Sequence, residues 1–174
     1  VQKFPVASDT NATNVGTITV ARYLAAGSNS SAHGYIMGGY PNTNVIDKYS
    51  FASEGAATDV GDRTVSVGYI AGQSSTTHGY ATGGYGSGPS PQTNVIDKVS
   101  FASDNNATDV GDLTGGMYAG AGQSSTTHGY NCGGWNSGNS NINHIEKFSF
   151  SSDGNASNIA SLTKSIGGMS GHQY

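Results

Sequence analysis

Apolar positions along this chain fall in short bursts between runs of Gly, Ser, Thr and Asn, a pattern that suits short strands joined by tight turns better than packed helices. The bursts come in sets of four. The first of each set is small and glycine-rich: RYLAAG at 22–27, YIAG at 69–72 and YAGAG at 118–122. The second is HGYIMGG at 33–39, HGYATGG at 78–84 and HGYNCGG at 128–134. Its closing pairs, Gly38 and Gly39, Gly83 and Gly84, Gly133 and Gly134, permit positive dihedrals and a sharp exit. The third is the longest: NVIDKYSFAS at 44–53, NVIDKVSFAS at 94–103 and HIEKFSFSS at 144–152. There Val45, Tyr49 and Phe51 share one face by period-two alternation, Asp47 interrupts it, and Lys48 and Ser50 face the other way. The fourth, ATDVGDRT at 57–64 and ATDVGDLT at 107–114, sets a central valine between turn-forming Asp and Gly.

Behind the sets lies an internal repeat. AGQSSTTHGY occurs identically at 71–80 and 121–130, and TNVIDK (43–48, 93–98) and ATDVGD (57–62, 107–112) keep the same offset of 50 residues. A weaker copy sits 45 residues upstream, and a later one resumes 49 residues on with HIEKFSFSSDGNASN at 144–158. A period of 45–50 residues belongs to a stacked or radial architecture, in which one unit cannot bury its apolar face alone. The chain therefore reads as one repeat domain over 1–174. It comprises a partial unit 1–19, full units 20–64, 65–114 and 115–163, and a partial unit 164–174 whose HQY at 172–174 is a shortened echo of HGY. Beginning at Val1 inside a unit, the sequence reads as a processed chain or as part of a longer one.

These residues resemble the kelch-type β-propellers. The likeness rests on the double glycines, on the aromatic position at Tyr49 and Phe148, and on Arg22 ahead of the first small-residue strand. Val60 and Val110 depart from it, standing where a kelch repeat offers tryptophan, and Val99 replaces the expected tyrosine. The resemblance implies an all-β fold of propeller-like blades, each of four short antiparallel strands. A four-bladed ring would close if strands three and four at the N-terminus (1–8 and 12–16) shared a blade with the segment at 165–171; otherwise the chain is an arc of a larger ring. A β-solenoid or another stacked sheet is the alternative. Runs such as VIDKVSFASDNNATDVGDLT at 95–114 are similar to those of structural and tail-associated proteins of bacteriophages, particularly marine ones. That likeness implies a virion surface or tail location, otherwise an extracellular one. Its partners would be other virion proteins, further copies of the chain or a host-surface glycan.

Charge narrows the classes further. Seven Lys and Arg against eleven Asp and Glu give a net charge of −4, so a basic stripe for nucleic acid is lacking. No segment approaches a membrane-spanning apolar run, so no membrane insertion is expected. Cys132, the single cysteine, cannot form an intrachain disulfide, and it replaces Met37 and Thr82 of the other units as a packing residue.

Candidate chemistry is sparse. His33, His78 and His128 recur at one repeat position, where imidazole can ligate metal or move a proton. The structural reading, a hydrogen bond to the preceding Ser/Thr turn at 74–77 and 124–127, is favoured because the position repeats. Asp59 with Asp62 and Asp109 with Asp112 offer oxygens for calcium, but turn capping explains the DVGD pattern more simply, so no cofactor is expected. No nucleophile signature or phosphate loop is present, which argues against an enzyme. The loops that differ between units, 40–44, 85–94 and 135–143, place Tyr40, Tyr85 and Trp135 beside Asn42, Gln92 and Asn136 on one rim. Such aromatics suit stacking on sugar faces or a protein partner, or else pack beneath their own turns. The expected function is a non-enzymatic structural or adhesion module of a virus particle, binding through rim loops, with a free-standing carbohydrate-binding propeller as the alternative.

Overall fold

Each HGY segment begins the second strand of a four-stranded antiparallel sheet in the computed structural model, which describes residues 1–171. The first sheet is a meander of β3 (Ala26–Asn29), β4 (His33–Gly39), β5 (Thr43–Ser50) and β6 (Thr58–Asp62). The second repeats it with β7 (Ala71–Ser74), β8 (His78–Tyr85), β9 (Gln92–Ser100) and β10 (Thr108–Asp112). The third uses β12 (Ala121–Ser124), β13 (His128–Cys132), β15 (His144–Ser149) and β16 (Ser157–Ser161). Two short ribbons complete the all-β fold: β1 (Gln2–Lys3) with β2 (Thr13–Asn14), and β11 (Met117–Tyr118) with β14 (Trp135–Asn136).

Local chemistry sets the strand ends. The first strands start later than their apolar bursts because Leu24, Tyr69 and Ala119, at one repeat position, hold φ of 57°, 58° and 55° and break the extended run. The third strands stop short of their predicted ends at Ser50, Ser100 and Ser149. Each of those hydroxyls accepts the backbone N–H two residues on, bending the chain into a turn.

The core lies between sheets. One cluster joins Tyr35, Met37 and Ile46 of the first sheet to Ala81 and Val99 of the second and to Val67 and Ile70 just ahead of it. The other joins Tyr80 and Ile96 of the second to Leu113 and Met117 just ahead of the third sheet and to Phe148 within it. Within each interface a tyrosine stacks on the next unit's phenylalanine, Tyr35 on Phe101 and Tyr80 on Phe150, both with ring centroids 4.8 Å apart. Ile46 and Asp47 are adjacent in β5 and both fully buried, so this strand is covered on both faces. The single inward face of Val45, Tyr49 and Phe51 is corrected accordingly, and Phe51 is 46% exposed.

Successive units are tied at three levels. Innermost, the N–H of Tyr69 donates to Leu24 O, that of Ala119 to Tyr69 O and that of Gly168 to Ala119 O, at 2.8–2.9 Å. Beside these bonds the inner strands touch backbone to backbone. A Cβ at Gly72 would overlap the carbonyl oxygen of Gly27, and one at Gly122 would overlap that of Gly72. At the outer edge, Ala57 N donates to Thr17 O, Ala107 N to Asp62 O and Ala156 N to Asp112 O.

The propeller expectation is overturned. Among the described residues the five sheets remain separate and none closes or curls into a blade arrangement. Ring closure needs the chain's two ends to share one sheet, but β1 pairs only with β2, and residues 165–171 carry no strand. The HQY echo at 172–174 lies outside the described residues. No helix among them is long and apolar enough to cross a membrane.

The close approach of inner strands yields an internal control. Gly72→Ala and Gly122→Ala are expected to destabilise by roughly 1–3 kcal/mol or more, as overpacked cores do. Gly27→Ala meets nothing within 4 Å and should be tolerated. Urea denaturation of the three variants measures the contrast, and an equal loss for all three would refute it.

Candidate functional site

Each double glycine re-aims the chain beyond the second strand. Gly38 and Gly39 adopt φ of 61° and 133°, and Gly83 and Gly84 adopt 62° and 131°, conformations a side chain would strain. The chain then pairs again, with the segment that precedes the first strand: Tyr40 bridges Tyr23, Tyr85 bridges Gly68, and Trp135 pairs with Tyr118. Glycine pairs thus deliver an aromatic residue from each variable loop to the same end of the stack.

At that end an open groove of about 600 Å³ runs across the units. Its walls include Leu24, Tyr69, Tyr85, Tyr118, Trp135 and Met169, and no ionised side chain lines it. Tyr85 and Tyr118 lie 5.0 Å apart, Tyr69 and Tyr118 5.9 Å, and Tyr118 stacks on Trp135 at 6.0 Å with 28° between the planes. Tyr118 donates its hydroxyl to Asn139 Oδ1 at 3.0 Å, and its pKa is raised by burial and by the neighbouring Tyr85 and Tyr69. Tyr118 is therefore held as the neutral phenol, and the rings are fixed by their own contacts.

The rim residues singled out in the sequence separate here. Tyr85 and Trp135 meet in the groove, whereas Tyr40 packs edge-on against Tyr23 and does not line it. Asn42 donates to Ser87 Oγ at 2.9 Å, and Gln92 reaches Asn139 Oδ1 at 3.5 Å. Asn136 is spent on its own turn, accepting from Gly138 and Ser140 N–H. Tyr69 and Tyr118 were not anticipated. They sit on the segment before each first strand, and the tyrosines of YIAG and YAGAG were the available signal.

Buried carboxylates anchor those segments. Asp47 accepts from Thr19 Oγ1 at 2.6 Å and from Arg22 at 2.9 Å, and Asp97 accepts from Thr64 Oγ1 at 2.7 Å and from Arg63 at 2.9 Å. All four charged side chains are essentially without solvent exposure, and burial lowers both arginine pKa values. Thr19 and Thr64 are repeat equivalents, but the two arginines come from different repeat positions. At the connection into the third unit Leu113 stands in the place of Arg63. There the longer Glu146 reaches the backbone N–H and hydroxyl of Thr114 without any arginine.

Of the remaining candidates, His78, His128, Asp59 and Asp109 have local side-chain partners. His78 and His128 contact the hydroxyls of Thr77 and Thr127 through Nδ1 at 2.8 Å. Asp59 and Asp109 each accept the backbone N–H two residues on, at Gly61 and Gly111, forming turns at the outer edge. Among the described residues no three His, Cys, Asp or Glu side chains gather as a metal site. Burial raises the Cys132 pKa, holding it as the thiol.

Compared with models of known protein families and with curated proteins, the chain shows no match. The kelch likeness falls with the sheet arrangement, and the terms virion, viral tail and host attachment find no support in any relative.

Two outcomes follow from the buried groups. Arg63→Leu, which leaves Asp97 buried and unpaired, is expected to cost about 3–5 kcal/mol. Adding Asp97→Asn should recover part of that loss in urea denaturation, and strict additivity of the two would contradict the pairing. The second concerns His78, whose pKa is lowered by burial and by the Lys98 ammonium against the opposing Asp153. The folded state resists a proton that the unfolded chain takes up near pH 6.5, so stability is full above that value and declines below it. His78→Gln should lose less stability than the unmodified protein between pH 7.5 and 5.5, values that bracket an ordinary histidine of about 6.5.

Proposed function

We propose that the protein is a non-enzymatic binding module that takes a neutral carbohydrate chain in the aromatic groove. The observation that carries this reading is the wall of Tyr69, Tyr85, Tyr118 and Trp135 in a cleft lined by no ionised side chain. The C–H faces of sugar rings lie against aromatic rings, each such contact contributing on the order of 0.5–1.5 kcal/mol as aromatic pairs do. Asn139, already bonded to Tyr118 and reached by Gln92, offers polar reach beside the rings. Because the groove draws on several units, an extended oligosaccharide suits it better than a monosaccharide. A glycan ligand sets the module outside the cell, where such chains are displayed.

Trp135 is the chain's single tryptophan and forms part of the wall, so its fluorescence reports the groove directly. Titration with a panel of neutral oligosaccharides should give a saturable change, with parallel heats in calorimetry. Tyr118→Ala and Tyr85→Ala should each weaken binding about tenfold, equivalent to about 1.4 kcal/mol. Flat fluorescence and no heat across the panel would exclude carbohydrate as the ligand.

A further inference from the structure

The polar groups beside the aromatic wall have a fixed sense of donation. Tyr118 spends its proton on Asn139 Oδ1 at 3.0 Å, and Gln92 Nε2 approaches the same oxygen at 3.5 Å. With Oδ1 taken up by two donors, what Asn139 retains is Nδ2, a group that only donates. Tyr118, its proton committed, keeps the lone pairs of Oη and accepts. A donor and an acceptor therefore stand side by side at the edge of an aromatic ring that stacks on Trp135.

This arrangement is held from two units. Asn139 lies on an exposed turn closed by its own N–H on Asn136 O at 2.9 Å and by Asn136 Oδ1, which accepts from Gly138 and Ser140. Its φ of 56° is one that asparagine adopts more readily than most residues. Gln92 reaches it from the second unit, where it pairs across the strands with the groove residue Tyr85. Fixing the amide before a ligand arrives lowers the cost of ordering it on binding.

We propose that the groove selects acetamido sugars over the same sugars bearing a plain hydroxyl, with Asn139 as the specificity-determining residue; the inference rests on the carbohydrate reading above. An acetamido group carries one N–H, one carbonyl oxygen and one methyl. Tyr118 Oη accepts the N–H, Asn139 Nδ2 donates to the carbonyl oxygen, and the methyl lies against the neighbouring rings. A hydroxyl on the same carbon can donate and accept, but from a single oxygen, and it brings no apolar surface to the rings. The groove, lined by no ionised side chain, suits a group that is polar and uncharged.

Chitotetraose and cellotetraose test the proposal, because they share length and linkage and differ only in bearing an acetamido group or a hydroxyl on the carbon beside the anomeric one. In Trp135 fluorescence titrations, checked by calorimetry, chitotetraose should bind about tenfold more tightly, the worth of one well-made hydrogen bond. Asn139→Asp keeps an acceptor for Tyr118 and Gln92 and removes the donor. It should weaken chitotetraose about tenfold and cellotetraose no more than about threefold. Urea denaturation confirms that the variant is folded. Equal affinity for the two tetramers, a preference for cellotetraose, or an equal loss for both in Asn139→Asp would overturn the selectivity and leave the carbohydrate reading intact. The same holds if neither tetramer binds while another neutral glycan does; if no glycan binds, both readings fall.

Discussion

The fold depends on the closeness with which the backbone of one inner strand lies against the next. With Gly72 seated on the carbonyl of Gly27, and Gly122 on that of Gly72, no side chain separates the inner strands at these positions. That proximity puts the N–H of Tyr69 within reach of Leu24 O and sets the distance at which Tyr35 meets Phe101 farther out. The apolar core is consequently a property of pairs of units. Neither of its clusters could form within a single sheet, and loss of the glycine contact would open both sides of the interface together.

The same dependence explains why charges are buried in a chain with so few of them. The connecting segments at 19–25 and 64–70 leave an outer strand and must return to the inner end of the following sheet. A carboxylate at the middle of each third strand, held by a threonine of the connection, fixes that path. Asp47 and Asp97 receive an arginine as well, whereas Glu146 is reached only by Thr114, with His144 Nδ1 3.7 Å away. Because one connection ends in Leu24 and the other in Tyr69, fixing the path also fixes the groove wall. Packing and groove wall are thus set by one device.

Sequence alone revealed the repeat, since identical decapeptides 50 residues apart leave no other reading, and it revealed the all-β character through short apolar bursts between turn residues. It misjudged how the units are arranged. A repeat period measures how often a unit recurs along the chain, while the angle between units is decided by side chains and backbone contacts that the period does not encode. The kelch likeness rested in part on glycine pairs, which here serve a local purpose: they turn the chain so that Tyr40, Tyr85 and Trp135 pair with the segment before the first strand. Loop variability drew attention to Tyr85 and Trp135, which line the groove. It overlooked Tyr69 and Tyr118, because they lie in short glycine-rich segments that read as strand, and only the left-handed residues ahead of each inner strand bring them to the surface.

Those left-handed positions separate what the repeat preserves from what it varies. Leu24, Tyr69, Ala119 and Gly168 share one backbone conformation and one chain of hydrogen bonds, yet carry four different side chains. If conformation were the sole requirement, glycine would serve at all four, since a bulky residue with positive φ is strained by roughly 1–3 kcal/mol. Only Gly168 avoids the strain. Leu24 and Tyr69 accept it and project into the groove, where their side chains form part of the wall. The backbone scaffold is therefore reproduced from unit to unit, and the strain is tolerated where a side chain forms the groove wall.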